Sequence, residues 1–141
     1  MGFLSAQDEQ AVKKEFERIG GPVKITVFAS ELGPETNSQT VALVKEVAAL
    51  SDQLSVDVLN PHIDRERAEA YGIEVSPAVV VEGGRDYGIR FLGIPAGYEF
   101  SNLIDAIIAT STGEASLSEE TKTALAGLGE DVKIKVFTTP T

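Results

Sequence analysis

A strand-like hexamer occurs twice in this chain, and the repeat limits what the chain can fold into. VKITVF at Val23–Phe28 returns as VKIKVF at Val132–Phe137, and each copy follows a helix-like segment and a short turn that contains glycine. Two copies of such a pattern indicate two structural units. We therefore expect a complete unit over residues 1–110, a linker over 111–117, and a helix and first strand that begin a second unit over 118–141.

Composition narrows the class of protein and of partner. The 141 residues, 43% of them hydrophobic and 24% charged, suit a compact domain with a core. With 22 acidic and 12 basic side chains the formal net charge is −10, which repels nucleic-acid phosphates and anionic membrane surfaces. No apolar run approaches the ~20 residues of a membrane-spanning helix. We therefore expect a cytoplasmic protein with no nucleic-acid and no membrane partner.

The residue pattern alternates between helices and strands. A strand, a helix and a strand joined by short connections form a parallel pair, and a hairpin adds antiparallel strands. The sequence therefore predicts an α/β fold in which helices flank a four-stranded mixed sheet. In chain order, we expect a helix at 5–19, a strand at 23–29, a helix capped by Asn37 or Ser38, strand 54–59, helix 64–71, strand 78–82, a turn at Gly83-Gly84, strand 85–92, a helix through Phe100–Ile108 and a helix at 118–128.

This order resembles the thioredoxin fold, and short sequences strengthen the likeness. Tyr71–Ala78 resembles the segment that carries a cis-proline in thioredoxin-like proteins, and Gly93 lies where a glycine follows the second hairpin strand. With the repeated strand and with Phe91–Phe100 in the first unit, the chain resembles the glutaredoxin-like protein disulfide oxidoreductases, which pair two thioredoxin-fold units. It is more distantly similar to the N-terminal tandem of the flavoprotein subunit of alkyl hydroperoxide reductase. The resemblance implies that the Ser76–Pro77 bond is cis and that the sheet edge beside it binds extended peptide.

The chain contains no cysteine, which excludes thiol chemistry within it. Members of the oxidoreductase family often carry Cys-x-x-Cys between the first strand and the helix, and the matching positions here are Pro34, Glu35, Thr36 and Asn37. Disulfide exchange needs a low-pKa thiolate and a second sulfur, and none of these side chains supplies either. By resemblance, Val132–Phe137 leads toward the active site of the second unit. We therefore predict a redox-inactive first unit and an active Cys-x-x-Cys beyond residue 141.

Other residue types give no second chemistry. His62 is the only histidine, so a metal site is not expected. Glu31 and Glu35 are interpreted as solvated acids rather than as a catalytic pair. The glycine-containing loops lack the spacing of phosphate-binding and dinucleotide-binding motifs. We predict neither a metal nor a cofactor.

Three functions stay open on the sequence. The chain is either the inert N-terminal unit of a two-unit disulfide oxidoreductase, a thioredoxin-like peptide-binding module that works alone, or the inert unit of a flavoprotein reductase tandem. The implied partners are the second unit and protein or peptide substrates. Because a short apolar strand with unpaired edges pairs with any available edge, Val132–Phe137 also predicts a homo-oligomer.

Overall fold

A computed structural model of the chain describes residues 2–139, so that Met1, Pro140 and Thr141, which fall in the predicted first and second units, lie outside the described residues. No helix within the described range is long and apolar enough to cross a membrane. In chain order the elements are α1 (Ala6–Phe16), β1 (Val23–Phe28), α2 (Thr36–Ala48), β2 (Leu54–Leu59), α3 (Arg65–Ala70), β3 (Ala78–Glu82), β4 (Arg90–Leu92), a 3₁₀ turn (Gly97–Glu99), α4 (Phe100–Thr112) and α5 (Glu119–Ala126).

The four strands form one mixed sheet in the order β2-β1-β3-β4. β1 pairs parallel with β2, from Val23 opposite Leu54 to Phe28 opposite Leu59. β1 also pairs antiparallel with β3, and β3 pairs antiparallel with β4. The predicted fold class is confirmed, and β1 and β3 are the two inner strands because each has hydrogen-bonded neighbours on both sides.

Side chains alternate along the strands, so the sheet has an apolar core on each face. On the face covered by α1, α2 and α4, β1 contributes Val23, Ile25 and Val27, all buried. On the face covered by α3, Phe28 is fully buried and packs against Tyr71, with the ring planes at 65° and the ring centroids 6.0 Å apart. The two cores fix the sheet, and the loops at the strand ends are left to form surface sites.

The connection between β3 and β4 differs from the predicted two-residue hairpin. β4 covers only Arg90–Leu92, so the connection runs over residues 83–89. Gly83 and Gly84 do not take the positive φ angles of a tight hairpin turn. Gly83 is needed for space instead, because a Cβ there would lie 1.9 Å from the carbonyl oxygen of Thr110 in α4. Close packing of the helix on the sheet therefore explains this glycine.

A polar network ties the same connection to the end of α3. The Arg90 guanidinium donates to the Asp86 carboxylate at 2.9 and 2.7 Å, and its Nε donates to the Tyr71 carbonyl at 3.0 Å. The Tyr71 hydroxyl donates in turn to Glu82 of β3. Hydrogen bonds from Arg90 lower the pKa of Asp86 from 3.8 to about 2. The ionised carboxylate is thus part of what holds β4 in place.

The chain after the sheet domain carries α5 and an extended segment. α4 continues to Thr112 and ends at Gly113, whose φ is 73°, so the helix includes the first two residues of the predicted linker. α5 lies inside the predicted helix 118–128, with Ser118 as its N-cap. Val132–Phe137 is exposed and forms no strand pairing within residues 2–139. The division into a linker and a second unit stays a prediction.

Gly83→Ala should lower the free energy of unfolding by about 1–3 kcal/mol, because the added methyl group would overlap the Thr110 carbonyl. Gly84→Ala is the matched control, since nothing lies within 4 Å of its Cβ position and its φ is not positive. Urea unfolding followed by circular dichroism compares the two variants. Equal losses in both would contradict the close approach of α4 to Gly83.

Asp86→Asn should lower the free energy of unfolding at neutral pH by about 1–2 kcal/mol, because the amide loses the charge that Arg90 stabilises. The folded-state pKa is below the ordinary value of 3.8, so this stabilisation is present above pH 3.8 and is lost as the pH falls toward about 2. The difference in the free energy of unfolding between the parent chain and the variant should therefore become smaller over that pH range. Asp52→Asn, which changes an exposed carboxylate with no ion pair in the described chain, is the control. A difference in the free energy of unfolding that does not change with pH would contradict a stabilising role for the ionised Asp86 carboxylate.

Candidate functional site

One end of the sheet, which we call the loop end, collects the loops that carry the predicted site residues. Phe28, the last residue of β1, pairs with both Leu59 and Ala78. The loop after β1, the loop after β2 and the Pro77 turn before β3 therefore meet there. Gly93 after β4 joins them, because its N–H donates to the Pro77 carbonyl at 2.8 Å.

The turn at the cysteine-like positions Pro34–Asn37 is closed by the Asn37 side chain, which is only 2% exposed. Its Oδ1 accepts the Ser30 N–H at 2.9 Å, and its Nδ2 donates to the Pro34 carbonyl at 3.1 Å. The Asn37 N–H donates to the same carbonyl at 2.9 Å. Both polar ends of the amide are therefore used to hold the loop after β1 against the first turn of α2.

The helix start differs from the sequence prediction, which placed the N-cap at Asn37 or Ser38. α2 begins at Thr36, with Glu35 in the cap position and without a side-chain cap bond. Asn37 cannot cap the helix because its amide points back into the loop, and the Ser38 hydroxyl donates to the Glu35 carbonyl at 2.9 Å. The loop contacts of Asn37 outweigh the local capping preference.

The remaining cysteine-like positions present no reactive group. Pro34, Glu35 and Thr36 are exposed, and proline has no functional side chain. The Thr36 hydroxyl makes no hydrogen bond within residues 2–139, so no base is placed to activate it as a nucleophile. The four positions therefore form a closed structural turn rather than a catalytic one.

The second predicted site, Ser76-Pro77, lies at the same loop end. The peptide bond between the two residues is cis. Pro77 is buried, whereas Ser76 is half-buried and Val75 is exposed. The N–H and carbonyl groups of Val75 and Ser76 have no hydrogen-bond partner within the described chain. These backbone groups are open to an extended segment from another chain.

Large apolar side chains surround the loop end, and the sequence pattern did not predict them. Leu32 is 100% exposed and Tyr98 87% exposed, although both are large and apolar enough to be expected in a core. A leucine between Glu31 and Gly33 in a turn is the one signal that the sequence offered. We call the set the apolar rim; its members are Leu32, Ile63, Val75, Leu92 and Tyr98.

An open cleft of about 580 Å³ lies beside the Pro34–Asn37 turn, between α2 and the outer side of β2. Val41 and Lys45 of α2 form one wall, and Val58 of β2 and Ile63 form the other. The lining of the cleft is mixed, because Glu31, Glu35 and Lys45 lie beside these apolar side chains. Two carboxylates against one ammonium group do not suit an anionic ligand.

His62 is a residue of the loop after β2. Its N–H donates to the Asn60 side chain at 2.9 Å, and its carbonyl accepts from Arg65 at 3.2 Å. Within residues 2–139, no three histidine, aspartate or glutamate side chains are grouped so that they could hold a metal ion.

Asn37→Ala should lower the free energy of unfolding by about 2–3 kcal/mol, because it leaves the buried Ser30 N–H without an acceptor. Ser38→Ala, one residue further along α2 and exposed, is the matched control and should change stability by less than about 0.5 kcal/mol. Chemical unfolding gives both values. Equal stability of the two variants would show that the Asn37 amide does not hold the turn.

No family model matches the chain. Among curated proteins, the NADH dehydrogenase of Bacillus subtilis strain 168 is 30% identical over 109 residues, which are 77% of this chain and 19% of that protein. The chain spans about a fifth of the length of the curated relatives that it matches first.

Two solved structures place the fold. The NTD_N/C domain of the alkyl hydroperoxide reductase AhpF from Enterococcus faecalis superposes with a TM-score of 0.81 at 22% identity, over 91% of this chain and 62% of that one. A protein disulfide oxidoreductase from Aeropyrum pernix gives a TM-score of 0.75 at 28% identity, over 88% of this chain and 55% of that one. The chain is thioredoxin-like in fold, and its similarity to both proteins confirms the resemblance that its sequence predicted.

Proposed function

We propose that this chain is the redox-inactive N-terminal thioredoxin-like unit of a protein disulfide oxidoreductase, whose dithiol–disulfide exchange resides in a Cys-x-x-Cys beyond residue 141. The observation that carries the proposal is the buried Asn37 amide, which occupies a cysteine-like position and is hydrogen-bonded at both ends. Similarity to the Aeropyrum pernix oxidoreductase over 88% of the chain supports the assignment to this kind of tandem.

Chemistry at this position would need an attacking sulfur. A reactive cysteine in such proteins lies exposed at a helix N-terminus, where the helix dipole lowers its pKa. Here the helix start is retained, but it carries Pro34 to Asn37 and no thiol. The unit therefore has the fold around a redox centre, but the residues at the cysteine-like positions pack and hydrogen-bond instead of reacting.

The role that remains for such a unit is to support its active neighbour and to extend the neighbour's substrate surface. The apolar rim and the unpaired backbone at Val75 and Ser76 fit an extended protein segment held by strand-like hydrogen bonds. The partners in this proposal are the second thioredoxin-like unit and protein or peptide substrates in the cytoplasm. The same surface would serve a peptide-binding module that works alone.

A second candidate is the inert unit of a flavoprotein reductase tandem. The names of two similar proteins favour it, an NADH dehydrogenase and the alkyl hydroperoxide reductase AhpF. The two candidates differ in the sequence expected after residue 141. A parent protein that ends after one further thioredoxin-like unit with a Cys-x-x-Cys supports the first candidate. A parent protein in which a long nucleotide-binding region follows that unit supports the second candidate.

The chain alone should not catalyse the reduction of insulin by dithiothreitol, because it has no cysteine thiol to attack a disulfide. Turbidity from precipitated insulin chains measures the reaction, with a thioredoxin as positive control. A longer chain that includes the whole second thioredoxin-like unit with its Cys-x-x-Cys should catalyse the reaction. Changing both of those cysteines to serine should abolish that turnover. Turnover by the 141-residue chain above the uncatalysed rate would overturn the proposal.

A further inference from the structure

The connections at the loop end carry a surplus of negative charge. These connections are residues 29–35, 60–64, 71–77 and 93–99. They contain no lysine or arginine, and their five carboxylates are those of Glu31, Glu35, Asp64, Glu74 and Glu99. The connections at the other end of the sheet do contain cations, Arg18 and Arg85. The acidic character of the chain is therefore concentrated at the loop end.

Most of these carboxylates are without a partner. The Asp64 carboxylate accepts the Asn60 N–H at 3.0 Å. The four glutamates are exposed and form no ion pair within residues 2–139. Glu35 and Glu99 each precede a helix, where the helix dipole favours a carboxylate. Glu31 and Glu74 are at no helix start, so the local structure does not account for their charges.

Glu31 and Glu74 each stand next to a member of the apolar rim. Glu31 precedes Leu32, and Glu74 precedes Val75, which is 51% exposed. The backbone N–H and carbonyl groups of Val75 and Ser76 have no partner within the described chain. An extended segment that pairs with this backbone therefore meets an apolar side chain and a carboxylate at neighbouring positions.

The chain continues from the opposite end of the sheet. α4 ends at Gly113, and the Ser111 hydroxyl near that end accepts the N–H of Gly20, which leads into β1, at 3.1 Å. The residues after α4 therefore start at the end of the sheet away from the loop end. The exposure of the loop end does not rest on Val132–Phe137 being unpaired.

We propose that the loop end binds extended protein segments in which lysine or arginine alternates with large apolar residues. This inference rests on the proposed role of the loop end in holding a protein segment, and it adds the class of segment. Side chains directly opposite each other on paired strands interact. The residue of the bound segment opposite Val75 would be apolar, and its neighbour opposite Glu74 would be cationic. Leu32 and Glu31 repeat the same combination on the loop after β1.

Charge decides between segments of similar shape. The unpaired glutamates attract a cationic segment and repel an acidic one. Each exposed charge pair adds little to the affinity, so repulsion of acidic segments contributes as much to the selectivity as attraction does. The net charge of −10 acts in the same direction at longer range.

Fluorescence anisotropy with labelled peptides tests the proposal on the whole 141-residue chain. The probe has the core Lys-Val-Lys-Val-Lys between glycine–serine ends, and it should bind. Peptides with glutamate in place of each lysine, or serine in place of each valine, should bind about tenfold more weakly. Methyl groups on the backbone nitrogens of the core should abolish binding, because they remove the strand-like hydrogen bonds. Equal binding of the lysine and glutamate peptides, or no binding of the lysine peptide, would overturn the proposal.

Charge-removing variants locate the binding surface. Glu31→Gln and Glu74→Gln should each raise the dissociation constant of the lysine peptide about threefold, the effect of one exposed charge pair. Glu17→Gln is the matched control, because it removes the same charge from an exposed side chain at the other end of the sheet. It should leave the dissociation constant unchanged. Equal weakening in all three variants would show an effect of net charge alone and would overturn the assignment to the loop end.

The longer chain that includes the second thioredoxin-like unit should bind the lysine peptide as well. Loss of binding in that chain would assign the loop end to the contact between the units and would overturn the proposal. The peptide measurements need no thiol, so they fail separately from the insulin assay. Turnover of insulin without charge selectivity contradicts only the class of segment, and charge-selective binding without turnover contradicts only the redox assignment.

Discussion

Strand β1 lies between β2 and β3, and the other elements are arranged around it. Both of its edges are hydrogen-bonded, and all but one of its residues are buried. Helices must therefore cover both faces of the sheet, since neither face can be left in water. Burial of β1 also lowers the stability of the fold at one position, because the Thr26 hydroxyl is buried without a hydrogen-bond partner in the described chain. The β-branched shape of threonine suits the strand, and its polar atom is left unsatisfied.

Because β1 pairs on both sides, its carboxyl end gathers the loops of its neighbours. A thioredoxin-like protein with redox activity carries a reactive thiolate at this loop end. Here the buried amide of Asn37 occupies one of the cysteine-like positions. Asn37 bonds to Ser30 and Pro34 with both ends of its side chain, so the turn is stable without a ligand or a disulfide. The loop end is thus closed at this turn, and the apolar rim beside it is exposed.

The two hexamers show how the same pattern behaves in different surroundings. Val23–Phe28 becomes a central strand because helices α2 and α4 and strands β2 and β3 pack around it. Val132–Phe137 has nearly the same sequence and lies exposed, with no ladder within residues 2–139. A strand-forming sequence is therefore able to pair, but it becomes part of a sheet only where a strand edge is available to it.

The residue pattern alone predicted the order and type of the helices and strands, the mixed sheet and the lack of thiol chemistry in the chain. β2 and β3 have the predicted bounds, because β-branched runs between turn residues leave few alternatives. The roles of Gly83 and Asn37 follow from contacts between elements and not from the residue pattern. Gly83 looked like a hairpin turn residue and proved to be a close contact with Thr110, while Asn37 looked like a cap and proved to close a loop. Local patterns report propensities over a few neighbouring residues, whereas close approaches depend on how the helices pack on the sheet, and that packing decided how both residues are used.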